Sequence, residues 1–139
     1  MSRVQLALNV SNLDAAVDFY SKLFGTEPAK RRPGYANFAI AQPPLKLVLI
    51  ENQEAAGTLN HLGVEVETTA EVDAASDRLQ QLGLETQPEE EVTCCYALQD
   101  KVWVHDPDGA PWEIYKVLAD STVRDIKPVE VSTQGCACS

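Results

Sequence analysis

The sequence predicts an α+β fold in which two β-α-β-β-β modules pair into one curved mixed sheet around a concave face. Three observations lead there. Period-two apolar alternation opens each half, at residues 4–10 and 61–66. An amphipathic helical pattern stopped by glycine follows each, over residues 13–24 with Gly25 and 69–82 with Gly83. Placing Gln5 on His61 brings the two halves into the same order of elements, so the chain contains an internal repeat.

The elements can be justified in turn. Val4, Leu6, Leu8 and Val10 alternate with Gln5, Ala7 and Asn9, as in a strand buried on one face. Ser11 or Asn12 can cap the helix, whose one face carries Ala16, Phe19, Tyr20 and Leu23. Residues 35–41 and 45–51 read as strands parted by Pro43-Pro44. In the second half, Val72, Ala75, Leu79 and Leu82 line the helix. Residues 93–97 and 101–105 read as strands, then an Asp106-Pro107-Asp108-Gly109 turn leads into a last strand at 112–117. One module is too small for a comfortable core, so residues 1–119 are expected to form a single domain from modules 1–56 and 57–119. Residues 120–139 lose periodicity and are expected to be a flexible tail carrying Cys136 and Cys138.

Composition narrows the function. Among 139 residues, 21 are acidic and 11 basic, and the net charge of −10 argues against nucleic acid and anionic membranes as partners. No apolar run reaches bilayer length, and Met1-Ser2-Arg3 leads straight into a strand pattern, so a cytoplasmic location is expected. That compartment keeps thiols reduced, so the four cysteines point to soft-metal or redox chemistry rather than a disulfide framework.

Strand alternation then sorts the side chains. Leu6, Leu8, Val10, Leu62, Val64 and Val66 face the helices, while Gln5, Ala7, Asn9, His61, Gly63 and Glu65 face the concave side. Glu113, between Trp112 and Ile114, can face the same way. A carboxamide, an imidazole and a carboxylate make an octahedral site with open positions, suited to Fe(II), Mn or Ni; Zn prefers more nitrogen or sulfur. Taken singly, each has a plainer role: a histidine is more often a hydrogen-bonded residue, and a glutamine at a strand start is usually solvated.

Cys94 and Cys95 are adjacent, and a disulfide between neighbours would be strained. Two adjacent thiolates are instead a soft bidentate donor for thiophilic ions such as trivalent arsenic or cadmium. Neighbours in a regular strand point to opposite faces, and Pro88 with the acidic run 89–91 precedes the pair. A mobile loop is therefore expected there.

The residues 13–25, LDAAVDFYSKLFG, with Asn60-His61-Leu62-Gly63-Val64 and the Asp106-Pro107-Asp108-Gly109 turn before Trp112-Glu113, resemble the vicinal oxygen chelate superfamily of glyoxalase I, bleomycin-resistance proteins and extradiol dioxygenases. Residues 1–8, 32–41 and 43–49, with Cys94-Cys95 and 99–104, resemble a narrower branch: organoarsenical carbon–arsenic lyases and cadmium-induced proteins. The resemblance covers residues 1–119. It implies Fe(II) held by Gln5, His61 and Glu113, trivalent arsenic held by Cys94 and Cys95, and an O2-dependent cleavage of trivalent organoarsenicals to arsenite. Cys136 and Cys138 are then candidates for soft-metal capture. A cadmium- or arsenic-binding protein without catalysis and a glyoxalase I-like metalloenzyme are the alternatives. Glyoxalase I has histidine at the position of Gln5 and a further glutamate near the end of the fourth strand. Glu51 stands there, but its strand is apolar on both faces, so a ligand role for Glu51 stays open. So do the preferred arsenical and the choice between monomer and homodimer.

Overall fold

The computed structural model describes residues 2–94 and 96–120. The chain divides into two compact units, Arg3–Leu62 and the residues from Gly63 onward. Each carries strands and one helix in the repeated order.

The first unit contains β1 (Arg3–Val10), α1 (Leu13–Phe24), β2 (Lys30–Arg32), β3 (Tyr35–Ile40), β4 (Leu45–Glu51), a 3-10 turn at Gln53–Ala55 and the start of β5 (Leu59–Glu65). Its strands lie in the order β2-β3-β4-β1, with β1 parallel to β4 and the other pairs antiparallel. α1 spans the residues its periodicity predicts. Asn12 Oδ1 accepts from Ala15 N at 2.9 Å, and Gly25 ends the helix at φ 65°, a conformation a side chain would strain. Leu13 and Val17 then pack on Ala36, Phe38, Ile40, Leu47 and Leu49, with Leu6, Leu8 and Val10 against the same cluster. β2 is the strand that hydropathy could not reveal, because Lys30-Arg31-Arg32 offers no apolar residue to alternate. Its pairing of Arg31 with Ala36 and Arg32 with Tyr35 around Gly34 creates it.

Register defines the other face of this sheet. Gln5 pairs with Lys46, Ala7 with Val48 and Asn9 with Ile50, while Asn37 lies beside Val48 and Tyr35 beside Ile50. Gln5 is 3% and Asn9 6% exposed, whereas Leu6 and Leu8 on the helix side are only half-buried. On β1 the residues bearing polar groups are thus the drier ones.

The second unit holds the rest of β5, α2 (Thr69–Gln81), β6 (Gln87–Cys94), β7 (Ala97–His105) and β8 (Pro111–Asp120), with β8, β7 and β6 in that antiparallel order. A capping box starts α2: Thr68 Oγ1 accepts from Glu71 N and Glu71 Oε2 accepts from Thr68 N, both at 3.1 Å. After β7, Asp106 Oδ1 accepts from Asp108 N and Ala110 N, closing the predicted turn. β8 runs on to Asp120, past the expected end of periodicity, because Ala119 and Asp120 find partners in Leu98 and Ala97.

The segment before the cysteines corrects the loop expectation. Residues 87–94 form an edge strand, where a proline such as Pro88 is tolerated because one side of the ladder needs no donor. The acidic run is taken up by a bulge between Glu89 and Val92, with Glu91 at φ 49°. Asp100 holds it in place, accepting from Glu91 N at 2.8 Å through Oδ1 and from Thr69 Oγ1 at 2.7 Å through Oδ2. Cys94 ends the strand paired with Ala97. Cys95, the tail and its Cys136 and Cys138 lie outside the described residues.

Candidate functional site

In the first unit, β1 and β5 bring together two of the three predicted donors. Gln5 and His61, 56 residues apart in the chain, meet with Gln5 Nε2 at 3.1 Å from His61 Nε2, and the ring is 1% exposed. The other ring nitrogen defines the tautomer. Nδ1 lies 2.8 Å from Asn60 Oδ1, an oxygen that can only accept, so Nδ1 carries the proton and Nε2 presents its lone pair. Asn60 is itself oriented: its Nδ2 donates to Asn9 Oδ1 at 3.0 Å, and Asn9 Nδ2 donates to Thr58 Oγ1 at 3.0 Å. The chain of amides fixes both the ring plane and the proton, as an imidazole ligand requires.

In the second unit, Glu113 sits on β8 opposite Trp103, on the sheet face away from α2. It is 3% exposed, and Lys101 Nζ donates to its Oε1 at 2.7 Å. Lys101 is fully buried and lies 5.4 Å from the Trp103 ring centroid and 6.0 Å from that of Tyr115. Trp103 Nε1 donates in turn to Glu89 Oε1 at 3.1 Å, which fixes the indole. Breaking such a buried pair from one side leaves an uncompensated charge and costs about 3–5 kcal/mol. The sequence did not single out Lys101. The signal was present: a cation inside a strand, followed by Val102 and Trp103, on the same side as Gln99 and Trp103 rather than on the α2 side with Asp100 and Val102.

Glu51 takes another role. On β4 it shares parity with Leu45, Leu47 and Leu49, pairs with Val10, and so lies on the helix side of the sheet, opposite to the Gln5 face. Its Oε2 accepts from Leu13 N at 2.9 Å, placing a carboxylate at the positive end of α1. Among the described residues no three His, Cys, Asp or Glu side chains gather as a metal group.

A family model for the glyoxalase/bleomycin resistance protein/dioxygenase superfamily matches residues 3–114. The chain belongs to this superfamily. Two curated members align with most of it. A cadmium-induced protein, CadI, of Mycobacterium tuberculosis is 65% identical over 121 residues, covering 87% of this chain and 80% of that protein. A trivalent organoarsenical cleaving enzyme of Thermomonospora curvata is 64% identical over 122 residues, covering 87% of this chain and 81% of that enzyme. Among solved structures, a Mn(II)-bound glyoxalase from Novosphingobium aromaticivorans superposes with a TM-score of 0.60 at 20% identity, over 91% of this chain and 44% of its own. That likeness shows the superfamily fold, mixed α+β with strands and one helix per module.

Proposed function

We propose that this superfamily member is an Fe(II)- and O2-dependent lyase that releases arsenite from trivalent organoarsenicals. The observation that carries it is the 64% identity to an organoarsenical cleaving enzyme, together with a histidine whose Nε2 lone pair is directed at a carboxamide. Gln5, His61 and Glu113 are the proposed ligands. Their chemistry fits a divalent ion: a neutral imidazole with its proton on the far nitrogen, an amide whose half-turn presents oxygen, and a buried carboxylate. When bound, Fe(II) supplies redox chemistry toward O2 and open coordination positions.

The chain's own residues orient and exclude water. Asn60 holds the imidazole in the ligating tautomer, and the low exposure of Gln5, His61 and Glu113 keeps bulk solvent from the donors. Cys94 and Cys95 are the proposed thiolate donors to arsenic, presenting its carbon bond for cleavage. Cys136 and Cys138 are proposed to capture arsenic or cadmium before it reaches that pair. Among the described residues no helix is long and apolar enough to cross a membrane; a cytoplasmic site of action remains part of the proposal.

The test is arsenite release from methylarsenite by protein purified without oxygen, reloaded with Fe(II) and then exposed to O2. Absence of turnover in folded, metallated protein overturns the lyase reading. The 65% identity to a cadmium-induced protein favours a second reading, sequestration of a soft ion without catalysis. Sequestration survives Glu113→Ala; iron-dependent cleavage does not.

A further inference from the structure

We propose that Asp100 is a positioning residue for Cys94: by pinning the bulge of β6 it sets which face of the sheet that cysteine occupies. The inference rests on the reading of Cys94 as an arsenic ligand.

The parity of β6 changes midway along the strand. Glu89 stands opposite Lys101, and Cys94 stands opposite Ala97. Lys101 and Ala97 share one face of β7 with Trp103, and Trp103 is opposite Glu113. Residues 89 and 94 are an odd number apart, so in a regular strand they would lie on opposite faces. Both reach the Glu113 face because Glu90 and Glu91 together oppose Asp100. Without the bulge, a ladder continued from Glu89 and Lys101 sets Thr93 opposite Ala97 and takes Cys94 out of that row.

The bulge has to be held, because the backbone does not prefer it. Glu91 sits at φ 49°, in the left-handed region that a residue with a side chain avoids. Asp100, buried opposite it, uses both carboxylate oxygens: Oδ1 accepts from Glu91 N at 2.8 Å, and Oδ2 accepts from Thr69 Oγ1 at 2.7 Å. Thr69 is the first residue of α2, so the bulge is tied to the helix as well as to the sheet.

The probe is methylarsenite, offered without oxygen to the full chain carrying Cys136→Ser and Cys138→Ser, with affinity read by competition with a small dithiol. Each protein thiol that binds displaces one hydroxyl from arsenic, which leaves as water with the thiol proton, and arsenic stays trivalent. In this parent chain Asp100→Ala should weaken binding by about 10- to 100-fold, as loss of a residue that orients a ligand does. Deleting Glu91 in the Asp100→Ala chain should restore the parent affinity. With one residue fewer, a regular ladder carries Glu89 and Cys94 to their same partners and needs no bulge. A merely structural aspartate allows no such rescue, since the deletion would only add damage.

Parent-like binding in Asp100→Ala overturns the role of Asp100. So does binding in the deletion variant that stays at least about tenfold below the parent. Each variant decides by itself if the other does not fold by circular dichroism. Cys94→Ser separates the two levels: if it binds methylarsenite as well as the parent chain, Cys94 is no ligand and the underlying reading fails instead.

Discussion

In the first unit the buried polar pair is neutral; in the second it is an ion pair. Gln5 meets His61, and His61 in turn is held by a file of neutral groups, the amides of Asn60 and Asn9 and then the hydroxyl of Thr58. Glu113 is paired with the Lys101 ammonium, which stands in an aromatic frame. The repeat thus supplies two similar strand faces, and each solves the cost of drying polar atoms by different means. Neutral groups need geometry, because a misplaced amide loses a bond worth about 1 kcal/mol. Charged groups need a counter-charge, because the loss of one costs several times more.

Glu113→Ala tests that difference most severely. Bound Fe(II) should fall to background, and the stranded ammonium of Lys101 should lower stability by about 3–5 kcal/mol, read by anaerobic metal analysis and urea melts. Gln5→Ala should abolish metal retention as fully but lower stability by only about 1–2 kcal/mol. Equal losses of stability in the two variants contradict the contrast. Asn60→Ala comes next. By releasing the Nδ1 proton from its acceptor, it should weaken Co(II) binding by about 10- to 100-fold and leave the second unit's ion pair untouched.

Glu51→Ala should remove only the carboxylate at the start of α1, lowering stability by about 0.3–1 kcal/mol with metal content and arsenite release unchanged. A loss of metal in that variant returns Glu51 to the ligand set. The smallest change is expected from removing residues 134–139. Arsenite release at low methylarsenite should slow, while the saturated rate stays within about twofold, since capture precedes the chemical step. An unchanged low-concentration rate removes the capture role of Cys136 and Cys138.

Much of this layout was legible because a strand repeats every two residues. Parity alone put Gln5 and Asn9 on the face away from α1, and Asn12 with Gly25 marked both ends of that helix. Parity failed for Glu51, because β4 is apolar on both faces and neither is distinguished in the sequence. Only the register with β1 resolves it. β6 was hidden by Pro88 and three glutamates, which read as a loop unless the strand is known to lie at an edge. Lys101 is inconspicuous in the sequence because a strand cation is ordinarily solvated, and only the fold supplies the buried carboxylate that keeps it dry.

The bulged, acidic β6 has a consequence for how copies of this chain meet. A sheet edge is a template for a second chain, and two-fold pairing sets an edge against its own kind. β2 carries Lys30-Arg31-Arg32, and β6 carries Pro88 followed by Glu89-Glu90-Glu91. Laying β2 on β2 sets cation against cation, and laying β6 on β6 sets carboxylate against carboxylate across a ladder already broken by the bulge. The stretch that disguises this strand thereby also discourages two copies of the chain from pairing through this edge.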